Sequence, residues 1–275
     1  MEVILLNKEY KELNLNFYKE VLDNGLKVNV INKIGFKKKY VIIGTNYGSV
    51  DYNFESNGTI YNTKPGIAHF LEHKLFEMPD YSDAFVTLSK IGVSSNAYTS
   101  NNKTAYLFST TDNIQEPLNV LLDFVYTPFF DSDSVEKEKG IITSEINMYL
   151  DYPDHQIEME VIKNVYHNST LASDIAGEVS DIEQINPEDL MVNYQNFYHP
   201  SNMQVFLIGN IDENIISFIK ENQSKKKFSN PEKIEIKDIE EPLEPRKKEE
   251  TIYDDISQPK LGLALKLINY EVESN

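Results

Sequence analysis

The chain has 275 residues, with 26 Lys and Arg against 44 Asp and Glu, a formal charge of −18, 40% hydrophobic residues and no cysteine. The apolar share is enough for a sizeable core and excludes global disorder, while the acidic balance argues against nucleic acid and against an anionic membrane surface. The missing cysteine excludes disulfides, thiolate zinc sites, iron–sulfur clusters and a cysteine nucleophile.

The opening run Met1-Glu2-Val3-Ile4-Leu5-Leu6 is too short for a signal-peptide core and has no basic residue before it. No stretch approaches the ~18 apolar residues of a membrane span. The expectation is a soluble, cytoplasmic protein. Along residues 20–32, Asn24-Gly25 between β-rich runs predicts a hairpin or strand start. Residues 39–47 read as a buried strand and 48–64, rich in Gly, Asn, Ser and Thr, as a loop. Pro65-Gly66 opens a helical stretch to Met78, stopped by Pro79-Asp80, and a second helix spans 81–91 up to Gly92.

Residues 94–99 and 104–110 predict two strands joined through Asn101-Asn102. Ile114, Leu118, Leu121, Leu122 and Val125 have helical spacing over 113–126. Residues 133–150 and 155–167 predict two helices broken around Pro153, and Pro187 starts another. A short buried strand follows at 203–209 and a helix at 212–221. From Pro231 to Glu250, 13 of 20 residues are charged and three are proline, the composition of a solvated linker. Ile256 to Ile268 then turns apolar again. The predicted organisation is an α+β domain at 1–222, with a mixed β-sheet and helices packed on it, a charged linker at 223–255, and the start of a second domain at 256–275.

Residues 69–73 are His-Phe-Leu-Glu-His. On a helix His69 and His73 sit one turn apart on one face, with roughly 5–6 Å between their Cβ atoms, so both imidazoles can share one Zn²⁺. Glu72 lies on the same side, where a carboxylate can deprotonate a metal-bound water. Two ordinary helix histidines are the competing reading. A catalytic zinc takes three protein ligands. His155, His167 and His199 lie near predicted helix ends or loops without motif context. A carboxylate from another helix is the better third ligand. Glu138 and Glu145, seven residues apart, share one helix face beside Ile141, Ile142 and Ile146. Such glutamates are costly near a core unless paired or metal-bound; a solvated acidic edge is the alternative.

His69-x-x-Glu72-His73 has the inverted zinc-peptidase order, and its setting, Pro65-Gly66-Ile67-Ala68-His69-Phe70-Leu71-Glu72-His73, resembles the pitrilysin/insulinase family of zinc metallopeptidases, strongest to its small bacterial, processing-peptidase-like members. Three further blocks agree: Ser95-Asn96-Ala97-Tyr98-Thr99-Ser100, Glu138 to Glu145, and Phe197 to Met203 with Gly209-Asn210-Ile211-Asp212. The resemblance implies that His69, His73 and Glu145 hold one zinc per chain. It implies that Glu72 is the general base and that Glu138 orients a ligand histidine. Asn96, Ala97 and Tyr98 become an exposed edge that pairs with peptide backbone; read without the family, Asn96 is a turn residue and Tyr98 a packing aromatic.

The resemblance also implies the first half of a two-half clamshell, whose second half supplies an arginine and a tyrosine to the site. The sequence's one arginine, Arg246, lies in the charged linker, so a second-half domain, a partner subunit or a dimer is the expected complement. The expected activity is zinc-dependent endopeptidase cleavage of peptides or unfolded segments. Two rival readings are a peptide-binding or scaffold subunit without turnover, and a zinc hydrolase of small molecules.

Overall fold

The computed structural model describes residues 6–266 apart from 11, 13, 232, 237 and 238. The predicted apolar segment therefore falls outside the described residues from 267 onward. Among the described residues the strands are β1 (Leu6–Tyr10), β2 (Leu15–Val21), β3 (Lys27–Lys33), β4 (Lys39–Thr45), β5 (Asn53–Ser56), β6 (Thr59–Asn62), β7 (Ser94–Thr99), β8 (Thr104–Thr110), β9 (Met203–Gly209) and β10 (Ile234–Glu235). The helices are α1 (Ile67–Lys74), α2 (Ala84–Lys90), α3 (Gln115–Val125), α4 (Ser132–Leu150), α5 (Pro153–Val165), α6 (Val179–Ile182), α7 (Pro187–Phe197) and α8 (Asn214–Ser224).

Seven strands form one sheet in the order β1-β2-β3-β9-β4-β8-β7. The β3–β9 pair is parallel and the remaining pairs are antiparallel. This is the expected mixed sheet. The Asn24-Gly25 signal is the turn between β2 and β3: Gly25 has φ 90°, and the Asn24 side chain accepts from the Leu26 amide at 3.1 Å. Alternate side chains of the central strands, among them Val28, Val30, Val41, Ile43, Tyr106, Phe108, Val205 and Leu207, are fully buried. They share one core with Phe70 and Leu71 of α1, Leu118 and Leu122 of α3, Ile142 of α4 and Ile219 of α8. The period of two on strands and 3.6 on helices places these residues on one side of each element.

Residues 48–64 are not all loop. They hold the hairpin β5–β6, which β10 extends to a second, three-stranded sheet. Polar residues hide this hairpin in the sequence, but Asn57 and Gly58 take positive φ in its turn, as a tight hairpin requires. The first helix is also shorter than read, ending at Lys74, because the chain doubles back over Pro79-Asp80 and Glu77 bridges to Asp83.

The charged segment is held down at several points. Ile234 and Glu235 pair with β5. Glu241 accepts the successive backbone N–H groups of His167, Asn168 and Ser169 at 2.6–2.9 Å, and Lys266 lies 3.2 Å away. Those donors outweigh the desolvation of Glu241 and hold its carboxyl down at about 2. Lys247 donates its amide to the Asn164 carbonyl. Beyond it, Leu261, Leu263 and Leu265 are exposed, while Gly262 lies directly against Val161 of α5.

Candidate metal centre

α1 enters through Gly66, whose φ of 83° is open to glycine and strained for other residues. A Cβ on Gly66 would lie 2.4 Å from the Ala176 carbonyl oxygen, and one on Gly177 2.7 Å from that of Pro65. Two glycines therefore let the loop before α6 close on the start of α1. Ile67, Ala68, Phe70 and Leu71 anchor the helix in the core. The polar stripe of His69, Glu72 and His73 is left facing the crossing with α4, which packs on α1. α4 starts at Asp131, whose side chain accepts from the Ser134 amide, and presents Glu138 and Glu145 two turns apart.

The crossing gathers the predicted residues. One donor atom each from His69, His73 and Glu145 lie within 4.8 Å of one another. The two imidazole Nε2 atoms are 3.2 Å apart. Glu145 Oε2 is 3.7 Å from Nε2 of His69 and 3.5 Å from Nε2 of His73. Glu138 Oε1 lies on the other side of the His73 ring, 3.0 Å from Nδ1. Glu72 is outside the three-atom cluster and accepts a hydrogen bond from the Thr99 hydroxyl at 2.7 Å.

The cluster fits a divalent metal on its own chemistry. With Nδ1–H of His73 donated to Glu138, its Nε2 carries a lone pair, and that lone pair faces Nε2 of His69. Nδ1 of His69 is buried without a hydrogen-bond partner whichever ring nitrogen carries the proton. With the proton on Nδ1, the two Nε2 lone pairs and a carboxylate oxygen of Glu145 converge, and a cation between them satisfies all three. Burial, with His73 beside it, pushes His69 down to about 3 and keeps it in the neutral, ligating form. Burial also pulls His73 down, but its bond to Glu138 and the charges of Glu72, Glu138 and Glu145 outweigh that and raise it. Burial raises Glu72, against the opposing hydrogen bond from Thr99 and the charge of His73.

The histidines without motif context have other partners. His155 meets Asp174 at 2.6 Å, His167 lies 3.2 Å from the Glu244 carbonyl, and His199 bonds Ser201 and the Ser229 carbonyl. β7 pairs only with β8 among the described residues and forms the edge of the sheet next to α1. Asn96 and Tyr98 are exposed along it, and Ala97 packs toward the core. Sequence reasoning gave Thr99 no role. The signal was its place at the end of the quoted block, but only the strand's position against α1 brings its hydroxyl to Glu72.

Glu138→Gln is expected to weaken zinc binding by about 10–100-fold, the usual effect of removing a partner that orients a ligand histidine. Glu145→Gln is expected to be more severe, because its oxygen meets both Nε2 atoms. Zinc titration against a competing chelator checks the order; equal severity would exchange the two labels.

An α+β fold in which two histidines and a glutamate converge beside a sheet edge has the architecture of a metal-binding domain with room for an extended chain alongside. The family model described as Insulinase (Peptidase family M16) matches residues 56–179, and the one described as Peptidase M16 inactive domain matches 184–273. His69, Glu72, His73, Glu138 and Glu145 all fall inside the first match. The chain belongs to this insulinase/pitrilysin-type family, M16. It is 45% identical over 264 residues to YmfH of Bacillus subtilis (strain 168), described as an uncharacterized zinc protease, covering 95% of this chain and 61% of that protein. The crystal structure of an M16-like peptidase from Alicyclobacillus acidocaldarius superposes with a TM-score of 0.83 at 40% identity, covering 88% of this chain and 56% of that one. The first half of the periplasmic protease PqqL from Escherichia coli shares the fold, with a TM-score of 0.64 at 23% identity, over 82% of this chain and 49% of that one. The chain thus spans roughly half to three fifths of the length of these relatives. No helix among the described residues is long and apolar enough to cross a membrane.

Proposed function

We propose that this chain is the metal-binding half of a zinc-dependent endopeptidase. The observation that carries the reading is the convergence of His69, His73 and Glu145 with Glu72 held just outside them. His69, His73 and Glu145 would hold one zinc, which when bound supplies a Lewis acid and lowers the pKa of water. Glu138 fixes the ring of His73 through Nδ1. Glu72 takes the proton of the attacking water and returns it to the leaving amine, a role suited to a carboxyl raised by burial. A peptide pairs in extended form with β7 at Asn96, Ala97 and Tyr98, where the edge has unpaired backbone groups to offer. The edge favours peptides over small molecules as substrates.

A second reading is a peptide-binding half that turns over only when completed by a second half or partner subunit. It is favoured by the chain's span of 61% of YmfH. A substrate held on one side alone is ordered by few contacts, and an oxyanion lacking one donor loses ~10²–10³ in rate. The test is cleavage of a peptide mixture by the 275-residue chain, alone and mixed with a family second half. Zinc-dependent cleavage that appears or rises with the second half is expected. No cleavage in either arm, with zinc bound, would overturn the peptidase reading.

A further inference from the structure

We infer that Thr99 is a positioning residue that keeps Glu72 out of the metal's coordination and so keeps one position open for water. The inference rests on the zinc reading of the His69, His73 and Glu145 cluster. Glu72 lies between the two histidines in the sequence of one helix, only 60° around the helix axis from His69 by the geometry of roughly 100° per residue. Its carboxylate is near enough to feel the charges of His73 and Glu145, and it carries the charge a fourth protein ligand needs. A site with four protein ligands is closed, as in structural zinc sites, whereas a hydrolytic site needs an open position.

The carboxylate of Glu72 is buried, and a buried carboxylate is costly without donors or a cation. Among the described residues its hydrogen-bond donor is the Thr99 hydroxyl, at 2.7 Å. Thr99 is well placed to act as a fixed restraint. It ends β7 in register with Thr104 of β8, and the two hydroxyls are 3.5 Å apart. The Thr104 hydroxyl is itself fixed, donating to the Tyr47 carbonyl at 2.9 Å. The restraint on Glu72 is therefore built into the sheet rather than into α1. It also sits on the strand proposed to pair with substrate, one residue past Tyr98, so the base and the peptide share one reference frame.

Removing the Thr99 hydroxyl should strengthen zinc binding, not weaken it. In Thr99→Val the carboxylate loses its donor and turns to the metal as a fourth ligand. The 275-residue chain should then bind zinc more tightly, by about 10-fold, within the range of changes around a metal site. Thr99→Ser, which keeps the hydroxyl, should match the wild type. In Thr99→Val/Glu72→Gln the gain should vanish, because the amide is a poor ligand. In an active, completed assembly Thr99→Val should lower kcat with KM little changed. Zinc affinity measured by competition with a chromophoric chelator reads the first three results without any need for turnover. Tighter binding in Thr99→Val that the second change cancels supports the inference. Unchanged or weaker binding in Thr99→Val, beside a wild type that binds zinc, overturns it and leaves the metal reading standing. A wild type that binds no zinc overturns both.

Discussion

Glu72→Gln is expected to retain zinc and to lose hydrolysis by on the order of 10²–10⁴-fold, the usual span for removing a general base. The change keeps the shape of the side chain and an oxygen able to accept from the Thr99 hydroxyl, 2.7 Å away in the structure. It leaves His69, His73 and Glu145, whose donor atoms lie within 4.8 Å of one another, untouched. What it removes is the basic lone pair. The amide cannot take a proton from water at any working pH, so the fall should appear in kcat and not only in KM. The comparison belongs in a completed assembly with measurable cleavage, with zinc content determined on the same samples. Unchanged turnover with full zinc would reject the assignment of Glu72.

His73→Ala is expected to cost most of the zinc affinity. Zinc held by four ligands in small domains contributes roughly 10–16 kcal/mol, so one ligand accounts for about 3 kcal/mol, or ~10²-fold. At His73 the loss is compounded. The ring holds Glu138 at Nδ1, 3.0 Å away, and faces Glu145 with Nε2, 3.5 Å away. Removing it leaves two partly buried carboxylates facing each other without the group between them, and like charges so placed disfavour one another's ionisation. Elemental analysis should find about one zinc per chain in the wild type and little in the variant, with circular dichroism confirming that the helices remain. Equal zinc in both proteins would sink the assignment of the whole cluster, since Glu145 approaches His69 and His73 alike.

The parts of this protein that rest on local geometry are legible in the amino-acid order. The five residues His69 to His73 place two imidazoles on one helix face because four residues make about one turn. Glu138 and Glu145 share a face of α4 because seven residues make about two turns. Asn24-Gly25 marks the β2–β3 turn because glycine alone is at ease at φ 90°. What depends on how elements cross emerges from packing alone. Spacing alone left Glu138 and Glu145 open and the family resemblance gave them different roles; the packing of α1 on α4 supplies the physical difference, one carboxylate at Nδ1 of His73 and the other at the two Nε2 atoms. The β5–β6 hairpin carries too few apolar residues to be read locally, and gains its stability from Phe54, which packs in the core against Phe197 and stacks on Tyr61. The charged segment reads as solvated because its composition is that of a linker, yet Glu241 finds three backbone donors that α5 leaves at its C-terminal loop. Thr99 is a β-branched residue at a strand end, unremarkable by propensity. It becomes the partner of Glu72 because the edge strand lies beside a helix 27 positions earlier in the chain, a proximity that no local pattern encodes.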